Sequence, residues 1–267
     1  MTFDLSVVIP CFNEQKNLEN GVLDEVYQYL ANQNFSWQVI VVNDESTDAS
    51  RELVQAFIQG KPNFALRDIP HGGKPAAVWA GIQAATGEAV LLTDMDQSTP
   101  IRELDKLWPW YKQGSATVIG SRGSAREGFS IVRKLGSMIF RKLRGSLLLR
   151  DISDTQCGFK LFRREVLARV FPFLEFFRRG ENQRGWKVTA YDVELLYLIE
   201  RAGYPVKEVP VEWYNRDQSI TKRQARGEGM RYVRESLEML QEILRVRVNQ
   251  MRGIYDPIAK ANQSDVG

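Results

Sequence analysis

Two carboxylates one residue apart, Asp94 and Asp96 in LLTDMDQSTP, are the densest chemical feature of this chain. In an extended backbone, alternate residues project to the same side, so both would aim hard oxygen donors at one point. A divalent cation such as Mg²⁺ or Mn²⁺ takes one or two protein carboxylates and completes its octahedron with water and phosphate oxygens. The pair therefore points to metal-assisted chemistry on a diphosphate. The competing reading is a solvated strand end, with Ser98 or Thr99 capping a helix that begins near Pro100.

Other polar clusters punctuate the chain in a similar way. Asp44 follows the apolar run VIVVN and precedes a DESTD turn in which Ser46, Thr47 or Asp48 can cap a helix. Asp44 stands several residues ahead of that cap, which leaves its carboxylate for a base or ribose. In the loop Pro10-Cys11-Phe12-Asn13-Glu14, Glu14 favours a helix N-terminus, which does not exclude ligand binding. His71-Gly72-Gly73-Lys74-Pro75 offers a flexible backbone and a cation ahead of a helix, suited to a diphosphate, without the spacing of a P-loop. Asp192 sits near the start of AYDVELLYLIERA, either as a first-turn helix stabiliser or as a general base.

These residues need elements to position them. Leu5–Pro10, Trp37–Val42, Ala89–Thr93 and Ala116–Gly120 are short, apolar, β-branched runs that read as strands buried on both faces. Helical patterns run through Leu18, Leu23, Val26 and Leu30, then Ser50–Gln59, Ala76–Ala85 and Leu104–Tyr111. Such alternation predicts an α/β fold with a mostly parallel sheet flanked by helices and a ligand at the carboxyl ends of its strands. Four of the polar clusters follow strand ends: Asn13-Glu14, Asn43-Asp44-Glu45, Asp94 with Asp96, and Ser121-Arg122. Farther on, DTQCGFKLF predicts a turn into a strand, Tyr191–Ala202 a helix and Val206–Tyr214 a closing strand. A C-terminal amphipathic helix from Glu228 to about Val248 places Met230, Val233, Leu237, Leu240 and Leu244 at heptad-like spacing, and a disordered tail is expected from Ala259. The expected division is a catalytic unit over 1–225, a helical extension over 226–258 and a tail over 259–267.

Composition narrows the partners. Thirty-six basic residues against 33 acidic ones leave a net charge of +3, too balanced to argue for nucleic acid. Cys11 and Cys157 cannot build a disulfide framework, and a single histidine, His71, rules out zinc-type spacing. No signal-peptide pattern opens the chain and no run approaches a membrane span, so a cytoplasmic location is expected.

The segments VVIPCFNE, VVNDESTD, HGGKPAAVWAG, LLTDMDQSTP, VIGSR, DTQCGFKLF and YDVELLYLIERAGYPVKEVPV occur in the order found in the inverting glycosyltransferases of family 2. Over roughly residues 4–225 the chain resembles that family, most of all the polyprenyl-phosphate sugar synthases of the dolichyl-phosphate glucosyltransferase type. The resemblance implies a GT-A, Rossmann-like fold and a nucleotide-sugar donor, UDP-glucose or GDP-mannose. It also implies that Pro10, Phe12, Asn13, Glu14, Asp44, Lys74 and Asp94 contact the nucleotide, with Asp96 as principal metal ligand. Ser98 stands where mannosyl relatives carry a glutamine, and Asp154 and Gln156 would shape the sugar pocket.

Charge distinguishes the acceptors. Breaking the donor bond develops positive charge at the anomeric carbon and negative charge on the departing diphosphate, which a metal and Lys74 would stabilise. An acceptor hydroxyl needs a base, the place for Asp192; an acceptor phosphate, with a second pKa of about 6, is already largely deprotonated. A polyprenyl-phosphate acceptor calls instead for cations: Arg122, Arg133 and Lys160. The segment 129–149 sets Arg133, Lys134, Arg141 and Arg144 opposite an apolar side, which fits either a packed helix or a peripheral contact with the cytosolic face of a membrane. The C-terminal helix, with alternating Glu and Arg, suits packing or a homodimer. A nucleotide-sugar sensor without turnover is the reading from outside enzymology.

Overall fold

In the first strand Leu5, Val7 and Ile9 join one apolar cluster and Val8 joins another, and all four are excluded from solvent. A strand whose alternate residues enter two cores belongs to a sheet covered on both faces. The computed structural model describes residues 2–123, 149, 152–178, 191–216 and 228–261. In chain order these form β1 (Leu5–Cys11), α1 (Gln15–Glu19), α2 (Val22–Ala31), β2 (Trp37–Asn43), α3 (Ser50–Phe57), β3 (Phe64–Asp68), α4 (Lys74–Ala84) and β4 (Ala89–Leu92). There follow α5 (Leu104–Lys112), β5 (Thr117–Ser121), β6 (Lys160–Arg163), α6 (Arg164–Val170), α7 (Glu175–Arg178), α8 (Tyr191–Arg201), β7 (Val206–Pro210), α9 (Glu228–Met251) and α10 (Asp256–Ala261).

Among the described residues the strands make one sheet in the order β3-β2-β1-β4-β6-β5-β7. Every neighbouring pair is parallel except those of β6, which runs antiparallel to both β4 and β5. The carboxyl ends of the six co-directional strands therefore share one rim, and the first residue of β6, Lys160, meets them there. On one face α2, α3 and α5 contribute Leu23, Val26, Leu30, Val54, Leu104 and Leu107; on the other, α4, α6 and α8 contribute Val78, Ile82, Val166 and Leu195.

Helix α4 lies directly on β1. A Cβ built at Gly81 would stand 2.3 Å from Val8 Cγ1, so only glycine permits this approach, and the approach sets where Lys74 at the head of α4 points. Gly81→Ala should cost about 1–3 kcal/mol through overpacking, seen as a lower midpoint of thermal unfolding.

The fold differs from the expected elements in three places. Strand β3 was not among them: at the sheet edge, FALRD buries only Phe64 and carries Arg67 and Asp68, so it lacks the apolar signature of a central strand. The closing strand stops at Pro210, not Tyr214, and residues 211–216 continue without a ladder. Helix α9 runs on to Met251, and residues 259–261, expected to be disordered, belong to α10. Ile243 and Val246, not Leu244, turn α9 into the core, while Leu244, Val248 and Met251 stay exposed. Glu194 of α8 accepts hydrogen bonds from Tyr255 Oη at 2.7 Å and Arg245 Nη2 at 2.9 Å, which ties the C-terminal helices to the body.

Both cysteines are buried free thiols. Among the described residues no helix is long and apolar enough to cross a membrane. Arg133 and the segment 129–149, save for the buried Leu149, lie outside the described residues, as does the tail beyond Ala261.

Candidate active site

The carboxylate pair sits just beyond β4, not on it. The strand ends at Leu92, and Asp94 to Gln97 form a turn closed by Gln97 N–H donating to Asp94 O at 3.2 Å, with Gln97 at φ +48°. The two side chains are thus aimed by a turn, not by strand alternation, yet both line one cavity at the rim with Ser98, Thr99, Arg122 and Gln156. Asp96 Oδ1 accepts the Ser98 N–H at 2.8 Å, and Asp94 Oδ1 lies 2.5 Å from Lys74 Nζ. Neither Ser98 nor Thr99 caps the 3-10 turn at Ile101–Glu103, so the capping explanation for this stretch fails.

Enclosure by protein works against the Lys74 charge, but Asp94, Tyr191 and Asp192 outweigh it and hold the ammonium above the ordinary lysine range. Gly158 closes the other side of Asp94: a Cβ there would fall 2.1 Å from Asp94 Oδ2. The donors facing this cavity are carboxylate, hydroxyl and amide oxygens, which suit Mg²⁺ or Mn²⁺ and not a softer ion. Among the described residues no cluster of three or more His, Cys, Asp or Glu assembles. Two carboxylates with room for phosphate oxygens match the way such hard ions are usually held beside a diphosphate.

Toward β1, β2 and β3 the rim carries the expected nucleotide residues. Asp44 is 2% exposed and takes the N–H groups of Gly72 and Gly73 at 2.8 and 2.9 Å, with His71 Nδ1 at 3.0 Å. Burial raises its carboxyl above the usual carboxylate value, against the lowering by Gly72, His71 and Gly73. Asp44 thereby fixes the His71–Lys74 loop. Phe12 stacks on His71 with centroids 4.5 Å apart. Asn13, at φ +56°, accepts the Thr47 N–H at 2.8 Å and donates its own to Ser46 Oγ at 3.1 Å, while Glu14 accepts from Asn17 Nδ2. The DESTD turn is therefore a buckle between the β1 and β2 loops, with Asp48 accepting the Ser50 N–H at the head of α3. Pro10 lies within β1, one residue before its end.

Toward β5, β6 and β7 the cations are paired. Arg122 makes a two-pronged contact with Asp154, Nε to Oδ2 and Nη2 to Oδ1, both 2.8 Å. Burial lowers the Arg122 pKa, but Asp154 more than compensates. Asp154 Oδ1 also takes the Gln156 N–H at 3.2 Å, so Asp154 orders the turn that presents Gln156. Lys160 departs from expectation: its side chain is 1% exposed, and its ammonium donates to Asp192 Oδ1 at 2.7 Å and to Cys157 O at 2.5 Å. Because β6 is antiparallel, Lys160 enters beneath the rim instead of standing on it.

Five cavity-lining residues were given no role by the sequence: Thr93, Gly158, Phe159, Trp213 and Asn215. The first three stand inside motifs of the family resemblance. Trp213 and Asn215 fall in the irregular stretch after Pro210, where an aromatic residue beside polar ones following a strand end was the available signal.

Residues 6–171 match the family model described as Glycosyl transferase family 2. The chain is 30% identical over 268 residues to a dolichyl-phosphate beta-glucosyltransferase of Dictyostelium discoideum, covering 94% of this chain and 76% of that protein. To the human dolichyl-phosphate beta-glucosyltransferase it is 34% identical over 231 residues, covering 79% and 68%. Its fold is similar to glucosyl-3-phosphoglycerate synthase from Mycobacterium tuberculosis, solved with Mn²⁺, UDP and glucosyl-3-phosphoglycerate, at TM-score 0.58 and 16% identity over 90% of this chain and 80% of that one. Mannosyltransferase PcManGT from Pyrobaculum calidifontis, solved with GDP-Man and Mn²⁺, aligns at TM-score 0.55 and 19% identity over 99% and 75%. At such identities the structural likeness speaks to the GT-A fold.

Proposed function

The chain belongs to glycosyl transferase family 2, and we propose that within it the protein transfers glucose from UDP-glucose to a dolichyl-type polyprenyl phosphate, with inversion, at the cytosolic face of a membrane. The names of its relatives support the sugar and the lipid. The observation that carries the acceptor half is the Lys160–Asp192 pair. If Asp192 accepted a proton, the Lys160 ammonium would be left buried without its counter-ion, a costly state. That makes Asp192 a poor general base, and a phosphate acceptor needs none.

The chemistry assigned to the chain is positioning and charge. A bound Mg²⁺ or Mn²⁺, held by Asp94 and Asp96 with Ser98 alongside, would neutralise the diphosphate as it leaves. Lys74 adds a fixed positive charge beside Asp94, and the loop that Asp44 holds sets the nucleotide in place. Arg122, oriented by Asp154, faces the acceptor phosphate. The anomeric carbon–oxygen bond to the diphosphate breaks as the acceptor phosphate oxygen attacks from the opposite side, and no proton is transferred.

Purified protein supplied with dolichyl phosphate in detergent should move label from UDP-glucose, and not from GDP-mannose, into a chloroform-soluble, acid-labile product. EDTA should abolish the transfer and Mn²⁺ restore it. If neither label enters the organic phase, the lipid-phosphate assignment is wrong; label on a soluble saccharide instead would favour a hydroxyl acceptor.

A further inference from the structure

The chain between Pro210 and Arg216 belongs to no ladder, yet it is pinned along its length. Val211 N–H donates to Ser121 O and Tyr214 N–H to Ser98 O, at 2.9 and 2.8 Å. Glu212 N–H donates to the buried Glu103 carboxylate at 2.9 Å, and the Glu212 side chain pairs with Arg102 at 2.8 Å. Arg216 is tied to Glu25 at 2.9 Å. Glu212 and Tyr214 bond to each other at 2.8 Å outside the cavity, and Trp213 and Asn215 line it.

The cavity these two residues enter is dominated by oxygen and nitrogen groups. Phe159, another aromatic of its lining, is 1% exposed, whereas Trp213 is only partly buried and lines the same space as Asp94 and Asp96. An apolar plane inside a polar pocket fits a molecule with one apolar face and a hydroxyl rim. A hexopyranose has that form: its ring C–H groups make a flat apolar face and its hydroxyls point outward. A prenyl chain would need an apolar channel, and this lining is not one. Arg122, whose guanidinium carbon lies 5.9 Å from the Trp213 ring centroid, stands where hydroxyl or phosphate oxygens at the rim of such a sugar would be met.

We propose that Trp213 is the platform on which the donor hexose stacks, with Asn215 hydrogen-bonding the sugar's hydroxyl rim. The assignment deepens the donor half of the proposed function and rests on it: Trp213 recognises the sugar, and the nucleotide is held elsewhere on the rim.

The test compares Trp213→Leu and Trp213→Phe with the parent protein, using calorimetric binding of UDP and steady-state kinetics with UDP-glucose, both with Mn²⁺. Trp213→Leu should raise the KM for UDP-glucose about tenfold while the Kd for UDP stays within about twofold, and Trp213→Phe should recover most of the loss. Equal weakening of UDP and UDP-glucose would show that Trp213 only props the pocket, and no change in either would remove it from the site; both overturn the proposal. If the parent protein uses another nucleotide sugar and not UDP-glucose, the donor reading falls separately, and the same comparison made with that donor decides the platform.

Discussion

Replacing Gly158 with alanine should lower turnover by about a hundredfold while the protein stays folded. The added methyl would lie 2.1 Å from one Asp94 oxygen, 2.7 Å from its Cγ and 3.0 Å from the other oxygen. No van der Waals contact is that short, so the carboxylate must swing away or the turn after β4 must move. Asp94 is held on its other side by Lys74 at 2.5 Å, so either movement breaks an ion pair and displaces a proposed metal ligand together. A misplacement of about 1 Å can cost about 10²-fold in rate when catalysis depends on alignment. Because the clash is confined to one side chain at the rim, the unfolding midpoint should fall by no more than a few degrees. A parallel drop in Mn²⁺ affinity, measured by calorimetry, would identify the lost ligand geometry; unchanged turnover would mean that Asp94 is not needed where it stands.

The second large effect concerns the pair under the rim. Lys160→Met should destabilise the protein by about 3–5 kcal/mol, since it strands the Asp192 carboxylate, itself mostly buried, without its cation. Asp192→Asn should cost a similar amount by stranding the ammonium. The combined Lys160→Met/Asp192→Asn variant should recover much of either loss, because neither charge then remains unpaired. Thermal unfolding reads these differences. Activity separates the acceptors: on dolichyl phosphate the combined variant should retain turnover within about tenfold, whereas loss of a general base would cost about 10²–10⁴-fold. A loss of the larger size in well-folded protein would return Asp192 to the role of base.

Most of the rim was legible because strand ends can be read from apolar runs, and ligands of parallel sheets gather at those ends. Asp44, Asp94, Asp96 and Arg122 follow such ends and stand at the rim, whereas Lys74 follows β3, whose run is not apolar. The depth of a residue was less legible. DTQCGFKLF reads as a turn into a strand whichever way the strand runs, and only its antiparallel insertion puts Lys160 below the rim. Edge strand β3 was hidden because an edge need not be apolar, and Trp213 because it read as part of a closing strand over Val206–Tyr214, whose ladder ends at Pro210. At Leu244 the α9 stripe was misjudged for a related reason: heptad spacing in a sequence does not say which of two neighbouring stripes faces the body, and here Ile243 and Val246 face it in place of Leu244.

The reversed strand also governs when the fold can finish. β4 and β5 both need β6 as their neighbour, so during synthesis each presents an open sheet edge until residues near 160 have emerged. From the end of β4 that is a wait of about 70 residues, or about 4–14 s at ribosomal rates of about 5–20 residues per second. The Asp94 and Asp96 carboxylates emerge early, directly behind an unpaired edge, and the β4–β6 pairing that completes their surroundings joins residues about 70 apart in the chain. Nascent chains of this protein therefore hold an open β4 edge until β6 inserts, the same late step that seats Lys160 under the site, and an open β5 edge until β7 follows at Val206–Pro210.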